Sequence, residues 1–180
     1  MMIDNWQKSF DLVMKSEGGF SDDPRDKGNH MPDGRTGCTN LGVTMLTWEM
    51  YVERQANIDE MKALTKQDVE PLYKRLFWDR VWGDKMPGGI DYLLFDFAVN
   101  AGVGRSVMCL QQAVGADPDG GMGPLTFAAT VTHDADDLID KFSLAKEMFY
   151  RSLNDFNVYG KGWLNRVATA RIEADNMLNA

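Results

Sequence analysis

Residues 90–101, IDYLLFDFAVNA, constrain this chain more than any other stretch. Ile90, Leu93, Leu94, Phe97, Ala98 and Ala101 follow helical spacing, yet Phe95 and Val99 make other sides apolar too. A helix that is hydrophobic around most of its circumference belongs at the centre of a fold. The same period recurs on either side of it. One stripe runs through Ile3, Trp6, Phe10 and Met14. A second follows Thr65, an N-cap with Asp68 three residues on, through Val69, Leu72, Tyr73, Leu76 and Phe77. Further helices are expected after Thr44, from Gly104 to Val114, after Pro124, from Asp134 to about Leu153, and from about Lys161 to Leu178. Residues 20–43 are rich in Ser, Asp, Pro, Gly, Asn and Thr, with Asp23-Pro24 and Asp33-Gly34 as turn signals. The expected class is mainly α, with at most a small β-hairpin in that region.

Bulk properties exclude several functions. At 180 residues the chain suits one domain, or a catalytic lobe with a smaller region attached. A net charge of −8 speaks against a nucleic-acid binder, which needs a basic face, and against a polybasic membrane anchor. No run of about 18 apolar residues is present, so no stable membrane insertion is expected. The start MMIDNWQKSFDLVMKSEGGF has no basic n-region followed by an apolar core. The expected location is therefore the cytoplasm until something else moves the protein out. Cys38 and Cys109 suit two free thiols, with a single disulfide as the alternative. His30 and His133 lack metal-ligand spacing, and neither G-x-S-x-G nor a Gly-rich phosphate loop occurs. No metal or cofactor is implied.

Glu17 is the most informative residue. It takes the next position of the stripe Trp6, Phe10, Met14, which directs a carboxylate toward packed surroundings. Partial burial and a helix C-terminus both favour a protonated acid, as a glycosidase general acid requires. Gly18-Gly19 would let a bulky substrate approach. The alternative is a helix-terminal glutamate turned to solvent. Asp22, Asp23, Asp26 and Asp33 follow, each either a turn former or a second polar group for positioning water. Thr39, Asn40 and Thr44 could hold water or sugar hydroxyls, or serve as turn and cap residues. Tyr92, Asp96 and Asn100, at i, i+4 and i+8, draw a polar line along the central helix. Such a line either faces a cleft or satisfies neighbouring backbone groups. Trp78, Trp82 and Trp163 are candidates for sugar stacking or for core packing.

Taken together, Glu17-Gly18-Gly19-Phe20, Asp23-Pro24-Arg25-Asp26-Lys27-Gly28 and Thr39-Asn40-Leu41-Gly42-Val43-Thr44 resemble glycoside hydrolase family 108, N-acetylmuramidases found as phage endolysins and secretion-linked enzymes. The resemblance continues through residues 72–102 and 110–124, the latter similar to that family's peptidoglycan-binding C-terminal region, and into Gly162–Val167. It implies a lysozyme-like helical fold with Glu17 as catalytic acid. By analogy with phage-type lysozymes it implies Asp26 and Thr39 as the other catalytic members. Asn29–Gly37 is an apparent insertion relative to that pattern, which keeps Thr44 in competition with Thr39.

The resulting expectation is a catalytic region over 1–90 and a helical peptidoglycan-binding region over 91–180. The reaction would be cleavage of the β-1,4 bond between N-acetylmuramic acid and N-acetylglucosamine. Catalytic candidates are Glu17, Asp26 and Thr39; substrate-binding candidates are Asn40, Thr44, Tyr92, Asp96 and Asn100. The expected partner is the peptidoglycan glycan strand, met by a monomer that depends on a holin or a secretion step. A lytic transglycosylase using the same glutamate and a non-catalytic peptidoglycan binder are the alternatives.

Overall fold

A computed structural model describes residues 5–180; Ile3, the first residue of the N-terminal stripe, lies outside them. The described chain is mainly helical. In order it forms α1 (Trp6–Ser16), a hairpin of β1 (Thr39–Asn40) and β2 (Val43–Thr44), α2 (Met45–Val52), α3 (Ile58–Ala63) and α4 (Lys66–Tyr73). Then come α5 (Ile90–Ala101), α6 (Val103–Ala113), α7 (Pro124–Val131), α8 (Ala135–Arg151) and α9 (Phe156–Leu178). Two compact units result: one is Phe10–Lys74, the other joins the described residues up to Ser9 with Arg75–Ala180.

In the larger unit α5 is the centre, as its all-round hydrophobicity requires. Every residue from Ile90 to Ala98 is buried. α6, α8 and α9 pack on it. Trp6, Trp78 and Phe95 meet edge to face at 5.3–5.7 Å between ring centroids, and Phe97 meets Phe142, Phe149 and Tyr150 in the same way. Burying each such ring contributes about 1.5–3 kcal/mol. Asp134 caps α8 by accepting from the Asp136 and Asp137 amides, both at 3.1 Å.

Two boundaries differ from the sequence expectation. The stripe through Phe77 does not stay α-helical: α4 stops at Tyr73 and a wide π-type turn carries Lys74–Trp78. Pro71, lacking an N–H, weakens the preceding ladder. Trp78 is then set on Gly83, with its indole Nε1 donating to Asp84 Oδ1 at 2.6 Å. α9 starts at Phe156 and not near Lys161. Gly160 lies inside the helix as the slot for the Phe156 ring, where a Cβ would come within 2.7 Å of Cε2.

In the Phe10–Lys74 unit, Phe10, Val13 and Met14 bury the apolar face of α1 while Asp11 and Lys15 are exposed. Thr65 and Asp68 form the expected capping box at α4. The hairpin pairs Thr39 with Thr44 and Asn40 with Val43, leaving Leu41 and Gly42 as its two-residue turn. Both turn residues have positive φ, +50° and +73°, the signature of the turn that matches strand twist.

Candidate active site

Glu17 follows the last residue of α1 and is half-buried. Its amide still donates to the Val13 carbonyl, so the helical path carries the side chain onto the apolar face and not into bulk water. What it meets there is the hairpin turn. A Cβ on Gly42 would lie 3.1 Å from Glu17 Cδ, closer still to Oε2, and 2.5 Å from the Tyr73 hydroxyl. Gly42 is thus required twice: by its positive φ and by the carboxyl and phenol that occupy its side-chain space. Around Gly18 and Gly19 no atom of the described residues lies within 4 Å of where a Cβ would be, so the backbone that follows Glu17 borders open space.

Tyr73 closes the other side. Phe10 meets its ring edge to face at 5.8 Å, and its hydroxyl donates to the Leu41 carbonyl at 2.9 Å. Burial first, and then the charge of Glu17, push its phenol well above the usual tyrosine range. The sequence presented Tyr73 only as one member of an apolar stripe. The available signal was the hydroxyl itself, since a buried tyrosine needs a partner for its polar tip.

Asp26 is exposed and caps a short 3-10 turn, Lys27–Asn29, with Oδ1 accepting from the Gly28 amide at 2.8 Å. The Gly28 side-chain position lies 3.3 Å from that oxygen and 3.4 Å from the Thr44 methyl, so Asp26 and Thr44 flank one glycine. Thr44 is paired in register with Thr39 and caps α2 through the Thr47 amide at 3.2 Å. Thr39 donates its hydroxyl to Asn29 Oδ1 at 2.9 Å. The hairpin Thr39–Thr44 therefore has Glu17 at its turn and Asp26 near its open end.

Residues 29–37 are an ordered part of this arrangement. Asn29 is fully buried and donates to the Asp23 carbonyl at 3.0 Å while accepting from Thr39. Arg35 holds Asp33 at 2.7 Å and grips both oxygens of Glu49 on α2 at 2.9 Å each. The sequence presents this segment as an insertion; Asn29 anchors it through partners that no local pattern marks.

The remaining candidates lie elsewhere or face inward. Asn40 is buried and gives its amide to the Met61 carbonyl at 2.8 Å, which ties the hairpin to the end of α3. In the larger unit Tyr92 and Asp96 are buried, at 4% and 3% exposure. Both carboxylate oxygens of Asp96 are taken: Lys146, fully buried, donates to Oδ2, and Arg166 donates to Oδ1 at 2.9 Å. Burial would raise the Asp96 carboxyl, but those two cations hold it below the usual carboxylate range. Tyr92 and Asp96 are thus interior groups of α5. Asn100 is exposed and donates to the Asp96 carbonyl at 2.9 Å. It lines an open pocket of about 420 Å³ with Arg105, Tyr150, Trp163 and Arg166. Cys38 and Cys109 are both buried, free thiols. His30 and His133 each bond a backbone carbonyl at 2.8 Å.

The model for the family described as glycosyl hydrolase 108 matches residues 10–102, which include Glu17, the hairpin and Tyr73. The chain belongs to the glycosyl hydrolase 108 family. The structure of SagA from Brucella abortus superposes on it with a TM-score of 0.82 at 35% identity, covering 98% of this chain and 97% of that one. Among curated proteins none matches. As a glycosyl hydrolase 108 member the protein is a glycoside hydrolase of the N-acetylmuramidase type, and peptidoglycan is its substrate. The non-catalytic alternative gives way to that membership.

Proposed function

We propose that Glu17 is the general acid that protonates the glycosidic oxygen between N-acetylmuramic acid and N-acetylglucosamine. One observation carries this reading: half-buried Glu17 packs its carboxyl on the Gly42 turn, and the Gly18-Gly19 backbone next to it borders open space. A glycan strand can approach over the glycines, while the packed side restrains the acid. Asp26 then positions the attacking water, with Thr39 as an orienting neighbour through the Thr39–Thr44 pair. The Thr39 hydroxyl proton goes to Asn29, so its oxygen is left as an acceptor toward water.

The experiment is mass analysis of products from purified sacculi. Hydrolysis gives saccharides with ordinary reducing muramic ends. Products ending in 1,6-anhydromuramic acid would replace water with an intramolecular nucleophile and remove the role given to Asp26.

The region 91–180 serves wall binding in this reading. The support is the 420 Å³ pocket, whose guanidinium, amide and stacked Tyr150–Trp163 rings suit sugars and carboxylates. The protein acts as an endolysin whose access to the wall waits on a separate breach of the membrane. α1 supports that order of events, because Trp6, Phe10 and Met14 are used in the core. Expression in a bacterial host should leave growth normal until chloroform is added; lysis without permeabilisation would sink this part.

A further inference from the structure

We propose that the hollow lined by Asn100, Arg105, Tyr150, Trp163 and Arg166 reads the peptide stems of the wall: a stem carboxylate sits between the Arg105 and Arg166 guanidinium groups, beside the Trp163 ring. The inference rests on the reading of region 91–180 as wall-binding and names the chemical group that is bound there.

The chain as a whole is acidic, with 27 Asp and Glu against 19 Lys and Arg. The lining of this 420 Å³ hollow runs the other way: it holds two arginines and no aspartate or glutamate. Arg105 comes from α6 and lies over the Phe149 ring at 4.9 Å, exposed and with no ion pair among the described residues. Arg166 comes from α9 and donates to Asp96 Oδ1 at 2.9 Å, with about a quarter of its side chain exposed. Asp96 also accepts from the buried Lys146 on its other oxygen. One buried carboxylate is therefore shared by two cations beside the hollow, and Arg105 adds a third that has no carboxylate of its own. Glu173, a further acid on α9, acts on Tyr92 and is not part of the lining.

Peptidoglycan carries its negative charge on its peptides. The N-acetylated sugars are neutral and the lactyl acid is spent in an amide, which leaves the carboxylates of the stem. A guanidinium fork matches a carboxylate, and an arginine already held by a buried acid loses little freedom when it binds a second one. The rest of the lining suits a peptide attached to a sugar. Trp163 stacks on Tyr150 at 5.4 Å with 20° between the ring planes, which holds it as a flat wall. Asn100 ties its amide nitrogen to the Asp96 carbonyl at 2.9 Å and keeps its oxygen as an acceptor for a ligand N–H. Arg105 and Phe149 also line a second hollow of about 530 Å³ between α6 and α8, so an extended chain bound at Arg105 has room to continue.

The test is binding of two soluble probes, N-acetylmuramyl-L-alanyl-D-glutamate and its diamide, followed through the Trp163 indole resonance in an NMR titration. The probes differ only in carboxylate against carboxamide, and neither has a sugar–sugar bond for the enzyme to cut. The acid should bind the wild type about fivefold more tightly than the diamide, with a preference that shrinks as salt rises. Arg105→Gln should reduce the preference to about twofold, and Arg105→Glu should abolish it. Arg105 is exposed, so both variants keep the fold. Equal binding of acid and diamide by the wild type, binding of neither, or a preference that survives Arg105→Glu would overturn the inference. Cosedimentation of the same variants with intact sacculi separates it from the reading beneath it. Weaker sedimentation of Arg105→Glu, with acid and diamide bound alike, would remove the carboxylate and leave the wall-binding role standing. Sedimentation untouched by Arg105→Glu would remove the wall-binding role of the hollow and the inference with it.

Discussion

Glu17 in the Phe10–Lys74 unit and Asp96 in the other unit both place a carboxyl on the apolar side of a helix, and the chain treats them in opposite ways. Asp96 is almost wholly buried and clamped by Lys146 and Arg166, which hold it ionised. Glu17 is only half-buried, leans on a glycine turn beside a phenol, and is followed by the glycines Gly18-Gly19, whose side-chain positions are open. Deeper burial alone is therefore not what marks the proposed acid. A carboxyl enclosed with cations becomes part of the interior; the proposed acid is half-buried and rests on a glycine turn. In these residues the packing partner, more than the depth, divides stability from chemistry.

The comparison can be broken most forcefully at Asp96. Asp96→Asn leaves Lys146 buried without a carboxylate and should cost about 3 kcal/mol or more, a fall of roughly 6–12 °C in Tm. The sign with pH follows from the lowered Asp96 pKa. The stabilisation is present at neutral pH and disappears as pH falls below the usual carboxylate range and through the folded value. The acid limb of wild-type stability should accordingly flatten in the variant. Unchanged Tm values across that range would mean the cluster is not what holds α5, α8 and α9 together.

Smaller effects sharpen the contrast inside the Phe10–Lys74 unit. Asp26→Asn should slow turnover roughly tenfold, since amide for carboxylate keeps the Gly28 cap but weakens the base. Asp33→Asn should change turnover less than about twofold, because Asp33 is exposed and contacts Arg35 on the side that grips Glu49. The reverse ranking on one peptidoglycan preparation would place the water-positioning group in the wrong loop. Smallest of all, Arg105→Gln should weaken cosedimentation with intact sacculi about two- to fivefold while leaving kcat alone. Its guanidinium lies over the Phe149 ring at 4.9 Å in the Asn100–Trp163 pocket, exposed and without an ion pair among the described residues. Wild-type wall binding in that variant would remove the pocket from the account.

Much of this was legible in the chain. The period of hydrophobic residues gave α5 its place and α1 its face, and the Thr65–Asp68 pair marked a real cap. Glu17 stood out because a carboxylate on an apolar stripe is expensive unless it is used or paired. Tyr73 and Asn29 did not stand out. Each works through a partner distant in sequence, Leu41 for one and Thr39 with Asp23 for the other, and no local period reports such a contact. The polar line Tyr92, Asp96, Asn100 showed that a buried helix needed partners but not which. Lys146 and Arg166, 50 and 70 residues beyond Asp96, come to it only when α8 and α9 pack on α5. The early start of α9 was not legible either, since the lack of a side chain at Gly160 serves the Phe156 ring within the helix.

The central claim is that Glu17 donates the proton, and its most direct test is the rate of reducing-end release from purified peptidoglycan by wild type and Glu17→Gln, each checked for the same Tm. The amide keeps the shape against Gly42 and Tyr73 but has no acidic proton to give. The account predicts a loss of roughly 100-fold or more with folding intact. Turnover within a few-fold of wild type in a correctly folded Glu17→Gln protein would contradict it.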